Sequence, residues 1–174
     1  LKLCRDVVNA HSRDRRDLDV VLALRDYVNK KKLRLAKHGV FCDPTHEYLF
    51  EQYQAVLAAN NSIDFGDVLL RAYDALQKPE VRASVCAAIW HVLVDEFQDL
   101  NELQLEILMC IAAKIDSRIT CVGDPQQAIY GFRNAVPQIF QVLLQRYPST
   151  QQLALRVNYR STHRIVQGCS RLVA

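Results

Sequence analysis

The sequence predicts an α/β fold, because three short apolar runs each end in polar or charged residues and helical patterns separate them. These three runs, with the polar residues that end the second and third, are residues 90–94, 119–124 and 152–161. An apolar run of four to eight residues that ends in charge is typical of a strand in a parallel sheet, and the first run suits a strand buried on both faces. We therefore expect three strands, and we place Trp90 of the first strand in the core.

Helical patterns follow each of these strands. They cover residues 101–114, 136–148 and 162–174. The first of them is apolar on nearly every side, so we expect it to pack between the sheet and its neighbours. The alternation of strand and helix from residue 89 onward indicates α/β architecture with right-handed crossovers.

Residues 1–60 carry no strand signal and predict helices. Val21, Leu24 and Val28 recur at helical spacing, as do apolar residues in the stretch 49–56. We expect Gly39 and Pro44 to lie in a loop between these helices.

The segment SIDFGDVLL then predicts a further helix, capped by Ser62 or Asp64. Its apolar residues form one predicted stripe: Phe65, Val68, Leu69, Ala72 and Leu76. Two interpretations fit Asp64 and Asp67 equally well, namely contact with DNA and a capping role in the first helical turn.

The run of residues 29–38 contains five Lys or Arg and no acid. A solvated helix face explains it, and so does a surface that contacts phosphate groups; a nuclear-import signal is a weaker alternative.

Composition narrows the class of protein. A chain of 174 residues, half of them hydrophobic, predicts about one folded domain, and its net charge of +3 permits a nucleic-acid partner. Six cysteines without a C-x-x-C pair argue against a zinc site or a disulfide framework and favour an intracellular protein.

No apolar stretch approaches the roughly 18 residues of a membrane span, so we expect no membrane partner. Because a helical pattern already begins at Leu1, we expect a piece of a longer protein.

Polar groups follow each predicted strand, and ligands in such sheets bind beyond the carboxyl ends of the strands. These groups are Asp95 and Glu96, then Asp124, Gln126 and Gln127, then Asn158, Tyr159 and Arg160. Two acids, amides and an arginine suit a magnesium-bound phosphate: one acid holds the ion, the other takes a proton from water, and the arginine neutralises phosphoryl charge. For the acid pair alone, a solvated strand end is the alternative.

Three motifs in this order, VLVDEFQDLN, VGDPQQAIYGFRNA and VNYRST, resemble consecutive motifs of the UvrD/Rep-type superfamily 1 DNA helicases. IDFGDVLL resembles the segment that precedes the second ATPase motif, so the resemblance covers about residues 62–166. It implies a partial RecA-like P-loop NTPase sheet with an N-terminal all-helical insertion. The implied divisions are 1–60 as the 1B-like insertion, 61–150 as the later part of motor domain 1A, and 151–174 as the beginning of motor domain 2A.

The resemblance also implies a role for each site residue, with ATP and Mg²⁺ as the ligands. Asp95 matches the magnesium-coordinating acid and Glu96 the general base for water. Gln127 matches the glutamine that senses the γ-phosphate. Tyr159 matches the aromatic residue that stacks on adenine, and Arg160 the arginine that reaches the γ-phosphate. Gln98 and Asp99 lie in the loop that the resemblance links to the DNA side.

The resemblance also implies a DNA-binding segment just after Gln127. Tyr130 and Phe132 match base-stacking positions of the family, where Phe132 replaces the more usual tryptophan, and Arg133 would hold phosphate. The alternative is that both aromatic side chains belong to the core.

The sequence contains five glycines, and none precedes a lysine, so the G-x-x-x-x-G-K-[ST] phosphate loop is not among these residues.

We expect an ATP-dependent DNA helicase as the parent, acting on single-stranded and duplex DNA with 3′ to 5′ polarity in repair, replication or recombination. It would be cytoplasmic in a bacterium or nuclear in a eukaryote, and the 174 residues alone would show no ATPase. A non-catalytic module that binds single strands or acts as a scaffold, and the motor part of a helicase–nuclease, are the alternatives; protein partners stay open.

Overall fold

The computed structural model describes residues 1–11, 18–33, 43–112, 119–127 and 139–173. Within these ranges the chain is mostly helical and contains a small two-stranded parallel sheet. None of the helices in these ranges is both long and apolar enough to cross a bilayer.

Three helices form the N-terminal part, in agreement with the periodicity of residues 1–60. They are α1 (Lys2–His11), α2 (Leu18–Lys32) and α3 (Pro44–Ala59). Their apolar faces share one core, in which Val7, Leu24 and Leu49 are fully buried.

The start of α3 differs from the expected loop. Pro44 is the first residue of the helix. Its fixed φ suits that position, and a backbone N–H there would have no partner within the helix, so proline loses no hydrogen bond. Asp43 caps the helix by accepting a hydrogen bond from Thr45 N at 3.0 Å.

Two further helices, α4 (Phe65–Gln77) and α5 (Pro79–Ala88), lead to the sheet. Asp64 caps α4, as predicted, but the expected apolar stripe is only partly buried. Leu76 lies in the core, whereas Phe65 is 91% exposed and Val68 is 48% exposed. The helix therefore buries a narrower face than its sequence suggested.

The sheet consists of β1 (Val92–Val94) and β2 (Ile119–Cys121), which pair in parallel with Val92 opposite Ile119 and Val94 opposite Cys121. These inward-facing residues pack against α6 (Glu102–Ala112) and α7 (Ile139–Arg146). The expectation for α6 is confirmed, because it packs against the sheet and also contacts α4 and α5.

Two expectations for β1 are wrong. The strand is not buried on both faces, since Leu93 points away from the core and is 76% exposed. Trp90 is not a core residue either; it is 75% exposed. It precedes Val92, the first paired residue, and therefore lies outside the face that α6 and α7 cover.

The third predicted strand does not form. Residues 151–158 have neither helical nor strand structure, and Leu153 and Leu155 are exposed. A strand needs a neighbour that satisfies its backbone N–H and C=O groups, and the sheet in the described part of the chain contains β1 and β2 alone. Helix α8 (His163–Val173) follows this segment.

Candidate functional site

The carboxyl ends of β1 and β2 lie side by side. Backbone pairing continues past both strands, because Val122 N donates to Val94 O at 2.8 Å and Phe97 N donates to Val122 O at 2.9 Å. The loop after β1 is thus held against the loop after β2. This arrangement brings the first two predicted polar clusters to one edge of the sheet.

Asp95 and Glu96 are exposed at this edge. Glu96 has left-handed backbone angles (φ 49°, ψ 44°), which are unfavourable for a residue with a β-carbon. Two contacts hold this conformation. The Glu96 N–H donates to Asp95 Oδ1 at 2.9 Å, and the adjoining Phe97 is completely buried. The turn Phe97–Asp99 then leads away from the edge.

Gln98 lies beneath the acid pair and is only 3% exposed. Its Nε2 donates to Glu96 Oε2 at 2.7 Å, and its Oε1 accepts from the Asp124 N–H at 3.0 Å. A β-carbon at Gly123 would stand 2.3 Å from Gln98 Oε1, so glycine is required for this close approach. Sequence analysis assigned Gln98 to this loop but did not predict its contacts with Glu96 and Asp124.

Asp124 organises the loop after β2. Its Oδ1 accepts from Gln126 N at 2.9 Å, and its Oδ2 accepts from Gln127 Nε2 at 2.8 Å. The Gln127 N–H also donates to Asp124 O at 3.0 Å within the turn Pro125–Gln127. The side chain of Gln127 is therefore tied to the same edge as Glu96.

The donor set at this edge fits magnesium held together with a phosphate ligand. In the described part of the chain, no group of three or more His, Cys, Asp or Glu residues could hold a metal ion. Magnesium, however, usually takes only one or two protein carboxylates and completes its shell with water and phosphate oxygens. The exposed carboxylate of Asp95 suits such a shared site, and Glu96 beside it stays available for another role.

Tyr159 and Arg160 belong to a separate turn. Asn158 Oδ1 accepts from Arg160 N and from Ser161 N, each at 2.9 Å, and Tyr159 is 92% exposed. Across the described ranges, no hydrogen bond or ion pair joins Tyr159 or Arg160 to the edge that carries Asp95 and Glu96.

The predicted DNA-contacting residues Tyr130, Phe132 and Arg133 lie outside the described residues.

The three described lysines of the basic run contact acidic side chains of the same chain. Lys30 pairs with Asp26 at 2.7 Å, and Lys31 pairs with Glu47. Both of these pairs are partly exposed. The two lysines are therefore engaged within the protein, although solvent still reaches them.

Lys32, the third described lysine of the run, is buried. Its Nζ lies 2.7 Å from Asp64 Oδ2 and 2.8 Å from Asp67 Oδ1, so the three side chains form one charged cluster. Lys32 therefore lies neither on a solvated helix face nor on a surface that contacts phosphate groups.

Comparison with known proteins gives consistent matches. Residues 8–148 match the UvrD/REP helicase N-terminal domain. The chain is 37% identical to the ATP-dependent DNA helicase Rep of Escherichia coli over 133 residues, 76% of this chain and 20% of that protein. It is 32% identical to DNA helicase II of Salmonella typhimurium over 154 residues, 84% of this chain and 21% of that protein.

A eukaryotic protein matches as well. The chain is 36% identical to the ATP-dependent DNA helicase SRS2 of Saccharomyces cerevisiae over 130 residues, 72% of this chain and 11% of that protein. The matched region thus spans about a fifth or less of the length of these relatives.

Proposed function

The chain belongs to the UvrD/Rep helicase family, and from that premise we propose that it is part of an ATP-dependent DNA helicase. The whole protein would couple hydrolysis of Mg-ATP to movement along single-stranded DNA and to duplex unwinding, with 3′ to 5′ polarity. The observation that carries this proposal is the meeting of Asp95 and Glu96 with Asp124 and Gln127 at one edge of a parallel sheet.

Each residue at this edge suits one part of phosphoryl transfer to water. Asp95 would hold magnesium through its water shell, and the ion would neutralise charge on the phosphates. Glu96 would take the proton from the attacking water. The Gln127 amide would contact the γ-phosphate, and Tyr159 and Arg160 would reach the nucleotide base and the γ-phosphate from the second motor domain.

We propose the same division of the chain that the motifs implied. The separate core of α1, α2 and α3 supports residues 1–60 as a helical 1B-like insertion. The pairing of β1 with β2 supports residues 61–150 as the later part of a RecA-like domain 1A. The exposed face of Leu93 and the exposed segment 151–158 suit burial by the remainder of such a motor, beginning with domain 2A.

DNA contact would come from Tyr130, Phe132 and Arg133, which follow Gln127 within six residues. Aromatic faces stack on any base and arginine binds phosphate, so binding would show little sequence preference and a strong dependence on salt. The short spacing from Gln127 would let a change at the γ-phosphate reach the DNA contacts.

The proposal is tested by Glu96→Gln in the intact protein that contains this chain. The amide cannot accept the proton, so ATP turnover stimulated by single-stranded DNA should fall about 10²- to 10⁴-fold, while ATP binding persists. Steady-state ATPase assays and a nucleotide-binding assay measure the two effects.

Glu106→Gln is the matched control, because Glu106 lies on α6 and its carboxylate is 3.8 Å from the guanidinium of Arg146 on α7. It should retain normal turnover. An intact protein that binds single strands but shows no DNA-stimulated ATPase would contradict the proposal and favour a non-catalytic module.

A further inference from the structure

A chain of three hydrogen bonds joins the proposed general base to the proposed phosphate sensor. Gln98 Nε2 donates to Glu96 Oε2 at 2.7 Å, the Asp124 N–H donates to Gln98 Oε1 at 3.0 Å, and Gln127 Nε2 donates to Asp124 Oδ2 at 2.8 Å. The links connect residues from two loops that follow different strands. Glu96 and Gln127 are therefore not independent of each other.

The orientation of the Gln98 amide follows from its partners. A backbone N–H can only donate, so the atom that faces Asp124 N must be the amide oxygen. The amide nitrogen then faces Glu96, whose ionised carboxylate can only accept. Burial of Gln98 to 3% exposure excludes competing water from this arrangement. One oxygen of Glu96 is held by Gln98, and the other stays available for a proton.

The packing around Gln98 leaves it little room to move. Its Oε1 lies where a side chain at position 123 would have to be, only 2.3 Å from the site of an added β-carbon. The same added atom would stand 3.0 Å from Phe97 N and 3.1 Å from the ring of Phe140. Gly123 therefore permits the contact that fixes Gln98.

We propose that Gln98 is a positioning residue for ATP hydrolysis. It holds the Glu96 carboxylate in place and, through Asp124, makes the position of Glu96 depend on the position of Gln127. Contact of Gln127 with the γ-phosphate would thus set the base at the same time. This inference rests on the proposed function.

Three variants separate the links. Gln98→Met removes both hydrogen bonds of the amide. Gln98→Glu keeps an oxygen that accepts from Asp124 N–H but turns a second oxygen, instead of a donor, toward Glu96. Gly123→Ala leaves Gln98 chemically intact and displaces it sterically.

In the intact protein, all three variants should lower kcat for ATP by about tenfold to a hundredfold, the range expected when a catalytic group is misplaced by about 1 Å. KM for ATP should stay within about twofold, since the lost interaction acts in the transition state. DNA-stimulated ATPase over a range of ATP concentrations measures both constants.

The control is Gln104→Met, which makes the same chemical change six residues away. Gln104 accepts from Asn101 N at 3.0 Å at the start of α6. The control should lower the melting temperature with kcat within about twofold of wild type. Equal losses of kcat in Gln104→Met and Gln98→Met at equal losses of melting temperature would show a merely structural role and overturn the inference.

A second measurement needs no turnover. In the intact protein without nucleotide, hydrogen exchange of the Asp124 amide should be at least about tenfold faster in Gln98→Met and close to wild type in Gln98→Glu. An unchanged exchange rate in Gln98→Met would overturn the inference whatever the ATPase shows. A wild-type kcat in both Gln98 variants would also overturn it while leaving the helicase assignment intact, whereas an inactive wild-type protein would contradict that assignment itself.

Discussion

Lys32 is a buried cation between α2 and α4. Its side chain is 1% exposed, and its Nζ lies 2.7 Å from Asp64, 2.8 Å from Asp67 and 5.1 Å from the ring centroid of Tyr53. Tyr53 Oη also donates to Asp64 Oδ2 at 2.8 Å. A buried charge persists in a folded protein only when it is paired and hydrogen-bonded. The cluster therefore holds the N-terminal helices to α4.

Lys32→Met should destabilise the 174-residue chain by about 3–5 kcal/mol, because it leaves two carboxylates without their cation in a largely buried place. Urea denaturation followed by circular dichroism measures the free energy of unfolding. Lys30→Met is the matched control. The Lys30–Asp26 pair is about half exposed, so its loss should cost about 1 kcal/mol or less. Equal effects of the two substitutions would show that the cluster does not hold the helices together.

At the scale of elements, the start of α4 combines two functions in one short segment. Asp64 Oδ1 accepts from Asp67 N at 2.8 Å, and Asp67 Oδ2 accepts from Asp64 N at 3.2 Å, which forms a capping box. The same two carboxylates bind Lys32. Gly66 lies between them, and a β-carbon there would stand 2.9 Å from Lys32 Cδ. Helix initiation and attachment to α2 therefore depend on each other.

The carboxyl of Asp64 makes the stability of this junction sensitive to acid. Burial by itself would raise its pKa, but hydrogen bonds from Lys32, the Asp67 N–H and Tyr53 outweigh burial and lower the pKa below 3.8. A carboxyl with a lowered pKa contributes stability that is fully present above its unfolded value and is lost as the pH falls through the folded value.

Unfolding free energy should therefore decline below about pH 4, and Asp64→Asn should weaken that decline. Tyr53→Phe removes one donor to Asp64 and should produce an intermediate pH dependence. Urea denaturation at pH 7, 5, 4 and 3 measures the effect. The same decline in Asp64→Asn as in wild type would assign the acid sensitivity to other groups.

At the scale of the whole molecule, two cores are connected by α4. One core is formed by α1, α2 and α3, and the other by the sheet with Phe97, α6 and α7. Helix α4 contacts both α2 and α6. Each core has its own apolar residues, which agrees with the proposed division near residue 60.

The purified 174 residues should hydrolyse no ATP, with or without single-stranded DNA. They contain no G-x-x-x-x-G-K-[ST] loop, whose backbone amides and lysine hold the phosphates. A phosphate-release assay measures this, with the intact protein as the positive control. DNA-stimulated turnover by the 174 residues that disappears in Glu96→Gln would contradict the prediction.

The local pattern of apolar and polar residues determined much of the secondary structure of this protein. Apolar spacing predicted the helices of residues 1–60 and the two strands that formed, and the polar residues after these two strands meet at one edge of the sheet, as expected. Asp64 as a cap was also predictable, because a capping box involves residues only three positions apart. Such interactions are complete within a few residues of sequence.

Tertiary structure decided the rest. Which lysine of the basic run turns inward, which face of β1 is covered, and whether Trp90 is buried all depend on elements distant in the chain. Gln98 reaches Asp124 across 26 positions in sequence. Periodicity describes one element at a time, whereas burial and these contacts arise only when separate elements pack together.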